Sequence, residues 1–551
     1  MYRVFLRRYF GMRFFLFLCD RLRRDESGAV LPTFTVAAVT LLLITAVGVD
    51  YGSALVVKQK LTNAADAAAL AVGGDPTLTQ AEADAKAEAF IKAHYPDADF
   101  GDLVDFKVVP TATQVDVTVN ARIPTTFLKI ARIDTIDVGV RSTVLRQQRD
   151  LEVVMVLDNT GSMDYGKKAN GTACKKSNER FNPDSCVSKM DDLKVAANKL
   201  VTVLFGDATT SEHVKIGLVP FSGAVNIGTD KLNSGWLDTA GSSFLHTEDI
   251  DLPNGTTLLD LFGRLRDTSW GGCVRARLKS DGTDLELTDD APTSPASKWV
   301  PYFAPDEPDS GSYGNNYLRY GCSGSNCTHS SRVRDQRDAS HYNNQTPSGG
   351  GPNFNCVPQK IQALTNAKST ITTAIAGMQP EGSTVIPVGL AWGWRVVSPT
   401  EPYTEGVAYS EQRVAKAIIL LTDGRNQVEY GSESNHNNSF YSAYGYSAEG
   451  HMGADQSDGS NTRTALDTKT TALCNAIKAN KDDIADDQDI YIYTITLQVD
   501  DNSARTLMSS CATPPADCPG EKCYYDSPTG ADLEDAFESI ALGLNKLRLA
   551  K

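Results

Sequence analysis

The chain has no excess of basic charge. Its 53 Lys and Arg stand against 68 Asp and Glu, a net charge of −15. That balance repels a phosphate backbone and excludes a nucleic-acid partner on electrostatic grounds. The usual catalytic signatures are also missing: the sequence holds no Gly-x-Ser-x-Gly elbow, no Walker A loop and no His-Glu-x-x-His pair. Its seven His are scattered. A metal-assisted hydrolase would need a base beside its ligands, and near the motif described below only Asp164 has the chemistry. No enzyme is expected. What is present is an ordinary apolar share, 41%, which a wholly disordered chain does not have. The length, 551 residues, exceeds one compact domain.

Charge is unevenly placed. Residues 1–28 hold seven Arg (3, 7, 8, 13, 21, 23, 24) against Asp20, Asp25 and Glu26. Residues 29–49 then run without a charge, roughly 32 Å of helix and about the thickness of a hydrocarbon core. That is longer than the apolar core of a cleaved signal peptide. With Arg before it and Asp50 beyond, the span reads as a signal anchor in the inner membrane with a cytoplasmic N-terminus at 1–28. The bulk of the chain is then periplasmic. The aromatic, Arg-studded stretch Phe5–Cys19 suits the inner membrane face, unless Met12 is the true start.

The helical pattern continues past the membrane to Gly73-Gly74. The run Lys60-Leu-Thr-Asn-Ala-Ala-Asp-Ala-Ala-Ala-Leu-Ala71 follows a charge-free span that ends in Val-Asp-Tyr. Over about Gly28 to Gly74 this resembles the N-terminal region of TadG-like proteins of the tight-adherence (Flp) pilus system. Relatives processed like pilins carry Gly followed five residues later by Glu. Here Gly28 is followed by Thr33, so no prepilin-type cleavage is expected. Residues 50–148 read as a small membrane-proximal α/β region: a helix over Gln80–His94, strands at Phe106–Val109, Val115–Val119 and Ile136–Leu145, and a short helix at Thr125–Ala131.

From Leu151 strands and helices alternate. Glu152–Leu157 is a nearly all-apolar run suited to a strand buried on both faces. It breaks into Asp158, Thr160 and Ser162, one carboxylate and two hydroxyls at alternate positions. One tight loop then aims three oxygens at one point, and oxygen-only ligands suit a hard cation, Mg²⁺ first. Ser188 to Asp191 has the form of a capping box, a helix follows, and Val214–Phe221 is a second strand. Ile361, Leu364, Lys368, Ile371, Ile375 and Met378 recur at helical spacing. Ala417–Gly424 is another buried strand, Tyr430–Thr462 a polar loop without a clear element, Ala465–Ala479 a helix, Ile490–Val499 a strand and Ala531–Leu547 a closing helix. The stretch 228–356 is rich in Gly, Ser, Asn and Asp and carries Trp236, Trp270 and Trp299. It reads as an inserted module or elaborated loop. Its aromatics suit a binding surface or a disulfide-stapled cap equally.

The Asp158 loop resembles the metal-ion-dependent adhesion site of von Willebrand factor A domains, Asp-x-Ser/Thr-x-Ser. The resemblance covers 150–227 and 357–548. It implies that Thr384, in Glu381-Gly-Ser-Thr384 before a helix, and Asp423, at the end of the Ala417 strand, complete the ligand set, while Asn159 is the variable position. The expected fold class is α/β: one transmembrane helix, a small α/β spacer, then a Rossmann-like, mostly parallel doubly wound sheet over 149–551 with the 228–356 insertion. The site implied is Asp158, Thr160, Ser162, Thr384 and Asp423 around Mg²⁺, with Mn²⁺ or Ca²⁺ as alternatives. Its open position would take an acidic residue of an envelope or pilus-assembly partner. The other readings are a metal-independent envelope anchor and a surface adhesin not tied to pili.

Cys19 precedes the membrane span and is expected to stay reduced. The other ten of the eleven Cys are expected to form up to five disulfides in an oxidising compartment. Local pairs would be Cys174–Cys186, Cys322–Cys327 and Cys518–Cys523. Zinc on Cys322, Cys327 and His329 is the alternative to the second.

Overall fold

The computed structural model describes residues 30–74, 78–95, 101–111, 114–145, 149–179, 185–281, 283–308, 315–319, 334–411, 413–428, 437, 439–453, 459–479 and 490–549. The Arg-rich segment 1–28, the Phe5–Cys19 reading, Cys322, Cys327 and His329 lie outside them. The chain divides into two units, residues 1–147 with the last three residues, and Gln148–Arg548. Each is described by itself.

In the first unit, helix α1 (Val30–Gly73) begins with apolar side chains that stay exposed, such as Leu31, Leu42 and Ile44. It is long and apolar enough to cross a membrane. From Ala54 onward it buries Val57, Leu61, Ala64, Ala65, Ala68 and Val72. Small alanines let the helix approach the sheet beneath it closely. Helix α2 (Gln80–His94) starts at the capping box of Thr79 and Glu82. Strands β1 (Asp102–Pro110), β2 (Gln114–Pro124) and β3 (Thr135–Leu145) form an antiparallel sheet in that order. Val115, Val117, Val119 and Ala121 alternate inward, the period of a half-solvated strand. Of the helix expected over Thr125–Ala131, only the 3₁₀ turn Leu128–Ala131 forms. Thr125 instead closes the hairpin loop through Asp134 O and Ile133 O.

The second unit opens with β4 (Asp150–Asp158). A side hairpin of β5 (Tyr165–Lys167), β6 (Ala173–Lys175) and β7 (Val187–Ser188) follows, then α3 (Lys189–Phe205), β8 (Val214–Phe221) and β9 (Val225–Asn226). After the short α4 (Leu258–Arg264) and β10 (Cys273–Val274) come β11 (Gln362–Thr365), α5 (Lys368–Gly377), α6 (Ile386–Val397) and β12 (Val414–Thr422). The chain closes with α7 (Gly459–Ala479), β13 (Ile490–Leu497), α8 (Asn502–Cys511), β14 (Tyr524–Ser527) and α9 (Gly530–Leu549). The sheet order is β10-β9-β8-β4-β12-β13-β14, with β11 also on β8. β8, β4, β12, β13 and β14 run parallel, and β9, β10 and β11 are antiparallel additions.

Both faces of the sheet are covered, which is why β4 reads as a continuous apolar run. Val153, Met155 and Leu157 pack under α3, α5 and α9, while Val154 and Val156 face α6 and the insertion. The insertion supplies core to this face: Trp236, Trp270, Trp299, Tyr302 and Tyr342 are buried in one cluster with Trp392 of α6. Trp299 and Trp392 lie 5.0 Å apart between centroids. Behind them, Arg395 of α6 pairs with Glu286 of the insertion at 2.9 Å, both fully buried. The tryptophans are therefore interior packing, and the aromatic binding-surface reading does not hold for them.

Two readings of elements are corrected. The helix expected from Ile361 to Met378 is a strand followed by a helix. Residues 362–365 pair with the free edge of β8, and that pairing overrides the helical spacing of Ile361 and Leu364. α8 and β14 were not expected. β14 pairs with β13 over only four residues, too few to show a period. Cys174–Cys186 and Cys518–Cys523 are bonded as expected, and Cys273–Cys356 and Cys474–Cys511 join distant segments.

Candidate metal site

In β4 and β12, Leu157 and Leu421 stand side by side, so Asp158 and Asp423 leave the sheet at the same edge. The chain passes from β4 to β8 on one side and returns to β12 on the other. β4 and β12 thus flank the topological switch point, where the crevice at the carboxyl ends of parallel strands opens. Asp158 then makes a tight turn, its Oδ1 accepting from Thr160 N at 2.8 Å. Thr160 Oγ1 and Ser162 Oγ are 2.9 Å apart, and Ser162 Oγ donates to Asp423 Oδ1 at 2.6 Å. Four of the five expected residues are therefore linked directly.

Thr384 arrives by its backbone. Its N–H and C=O pair with Gln427 at 2.9 and 2.8 Å, four residues past Asp423. The loop before it touches the Asp158 loop, with Gly161 N donating to Gly382 O at 2.9 Å and Glu381 N to Asn159 O at 2.6 Å. Gly382 has φ +84°, in the left-handed region that favours glycine. Ser222 Oγ donates to Asn355 O, and Asn355 reaches Ser383 Oγ, backing the same loop. Asn426 starts α6 by accepting from Ile386 N at 2.9 Å. Asn159 turns its amide to Gln379 O. Asp164 accepts from Ser177 N and lies 3.8 Å from Lys175, facing the side hairpin.

Two residues complete the network that sequence reasoning missed. Thr422 Oγ1 donates to Asp158 Oδ2 at 2.7 Å. As the last residue of β12, beside a carboxylate, it was open to inference from strand register. Lys189, the first residue of α3, places Nζ 3.0 Å from Asp423 Oδ2. The capping box Ser188–Asp191 aims the helix start at this edge, but the hairpin between Ser162 and Ser188 hides the relation in sequence.

Burial of Asp158, and then the charge of Asp423, push its carboxyl up to about 7, against the hydrogen bonds from Thr160 and Thr422. Two buried carboxylates linked to the hydroxyls of Thr160, Ser162 and Thr422 fit a hard divalent cation, which would relieve their repulsion. A second acidic group, Glu248, Glu449 and His451, gathers ligand atoms within 4.8 Å. The buried Arg275 guanidinium already serves it, at 2.8 Å from Glu248, 3.1 Å from Asp249 and 3.7 Å from Glu449. It is an ion-pair network tying the insertion to residues 449–451.

Residues 28–75 match the family described as putative Flp pilus-assembly TadE/G-like. No curated protein matches the sequence. Among solved structures, the PilB minor pilin of Streptococcus sanguinis is 12% identical, covering 81% of this chain and 78% of its own, at TM-score 0.31. The von Willebrand factor domain of the type V pili tip protein Mfa5 of Porphyromonas gingivalis is 11% identical, covering 73% and 97%, at 0.31. A von Willebrand factor type A protein of Catenulispora acidiphila is 9% identical, covering 81% and 50%, at 0.25. At these scores the likenesses carry no functional argument. The fold of the second unit rests on its own strand order.

Proposed function

We propose that the chain is a membrane-anchored periplasmic component of tight-adherence pilus assembly or anchoring. In this reading Asp158, Thr160, Ser162, Thr384 and Asp423 hold Mg²⁺, or Mn²⁺ or Ca²⁺ in its place. The observation that carries it is the linked set Asp158–Thr160–Ser162–Asp423 at the switch point of the sheet. The match of residues 28–75 supports the pilus context, and the exposed apolar start of α1 supports the anchor. A bound cation would supply a Lewis-acidic open position for a carboxylate of a partner protein. The chain's own residues do the rest. The two carboxylates balance the charge, the hydroxyls of Thr160 and Ser162 stay neutral so that positive charge remains, and Gly161 and Gly382 bring their loops close.

A second reading, a metal-independent anchor, is favoured by one observation: the Lys189 ammonium stands at Asp423, where a cation would be needed. Calorimetric titration of the oxidised full chain in detergent with Mg²⁺ and Mn²⁺, beside Asp158→Ala, separates the two. Saturable binding lost in the variant supports the metal site. No binding in either protein supports the anchor. Binding unchanged in the variant refutes the ligand assignment.

A further inference from the structure

The hairpin loop between β2 and β3 carries large apolar side chains that the described residues of its unit leave partly exposed, Ile130 most of all. Phe127, Ile130 and Ile133 are 43%, 80% and 46% exposed, interleaved with exposed Lys129 and Arg132. An ordinary hairpin tip is polar. This one is also held rigidly. Thr125 closes its base through Ile133 O and Asp134 O, Arg132 turns it in the left-handed region at φ 63°, and Asp50 pins its centre. Both Asp50 oxygens are used, Oδ1 accepting from Thr126 N at 2.9 Å and Oδ2 from Phe127 N at 2.9 Å and Leu128 N at 2.7 Å.

Asp50 fixes where along α1 the loop sits. It is the first charged residue after the span 29–49, whose described side chains are mostly exposed and apolar. The hairpin then runs alongside the helix away from that point, and Gly73, at the far end of α1, packs against Val144, at the far end of β3. Twenty-three helical steps and about ten strand steps each cover roughly 33–35 Å, so the loop lies at one end of the unit, level with the boundary of the span. Tyr51, 61% exposed at the same level, is the residue type enriched where a helix leaves the hydrocarbon.

We propose that Phe127, Ile130 and Ile133 dock into the headgroup region of the bilayer that α1 crosses, with Lys129 and Arg132 on its anionic phosphates. The inference rests on the reading of 29–49 as a membrane span and goes beyond it. The span alone leaves the unit free to swivel, whereas a second contact, held by Asp50, sets its orientation on the surface. An apolar cluster rimmed by cations is the composition of an interfacial anchor. Continuity with the span selects lipid as its occupant.

The test places the photo-crosslinker p-benzoylphenylalanine at Ile130, at Leu42 in the span, or at Leu145 at the far end of β3. The full chain is reconstituted in phosphatidylethanolamine–phosphatidylglycerol vesicles, and phospholipid adducts are read by mass spectrometry. Adducts at positions 42 and 130 and none at 145 are expected. An adduct at 42 without one at 130 overturns the docking and leaves the span standing. No adduct at 42 overturns the span, and the docking with it. Crosslinking of position 130 to a second copy of the chain in place of lipid overturns the lipid occupant.

Discussion

Lys189 Nζ and Asp423 Oδ2 lie 3.0 Å apart at the carboxyl edge of the parallel sheet. Asp423 also accepts the Ser162 hydroxyl on its other oxygen, so a lysine ammonium and a ring of oxygens share one carboxylate. A divalent ion entering this group competes with a tethered cation already in position. Lys189→Met should therefore raise Mg²⁺ affinity by on the order of tenfold, the size of a ~1.4 kcal/mol competition. Isothermal titration of wild type and variant side by side checks this. A weaker affinity in the variant would mean that Lys189 supports the site.

The protonation of Asp158 gives a pH signature. Its carboxyl, raised to about 7 by burial and by Asp423, binds a proton more tightly in the folded chain than in the unfolded one. Over that interval the folded state holds more protons, so stability in chelator falls as pH rises from about 4 to about 7. Asp158→Asn should flatten that slope in denaturant melts across the range. Saturating Mg²⁺ should flatten it too, and its binding near neutral pH should release a proton into the buffer. An equal slope in wild type and Asp158→Asn would assign the titration to other groups.

The insertion is predicted to be indispensable to the second unit. Glu286 lies between the Arg395 guanidinium at 2.9 Å and the Arg277 guanidinium at 3.5 Å, all deep in the interior. Removing one partner of a buried pair leaves an uncompensated charge, typically at a cost of about 3–5 kcal/mol. Glu286→Ala should lose that much in urea unfolding followed by tryptophan fluorescence. A loss below about 1 kcal/mol, the scale of exposed ion pairs, would mean that the insertion is only loosely attached.

The Cys273–Cys356 bond has a sequence separation of 83 and ties the interior of the insertion to its C-terminal end. Closing so long a loop is worth about 2–5 kcal/mol. The Cys273→Ser, Cys356→Ser double variant should lose stability in that range. The Cys518–Cys523 bond closes a separation of 5, and its removal should cost less. Paired denaturation curves of the two double variants compare them, and the reverse order would count against the loop argument.

Local chemistry was legible from the sequence because it is carried by neighbours in the chain. The charge-free run at 29–49, the two-sided apolar run of β4, the capping box at Ser188 and the alternate oxygens of Asp158, Thr160 and Ser162 each depend on spacing alone. Helix α2 and strand β8 were bounded correctly for the same reason, a clear period between caps or turns. Other features needed contacts between distant segments, which spacing does not encode. The pairing of β11 with β8 turned a helical pattern into a strand. Packing of Trp299 on Trp392 made core of aromatics that suited a binding surface or a stapled cap equally. A helix start after a long hairpin set Lys189 against Asp423, and three backbone N–H groups placed a hairpin tip on Asp50 at the edge of the apolar span. The sequence determined which groups were available, since side-chain chemistry and local period are properties of the chain. The tertiary structure decided which of them meet, because strand register and burial bring together residues hundreds of positions apart.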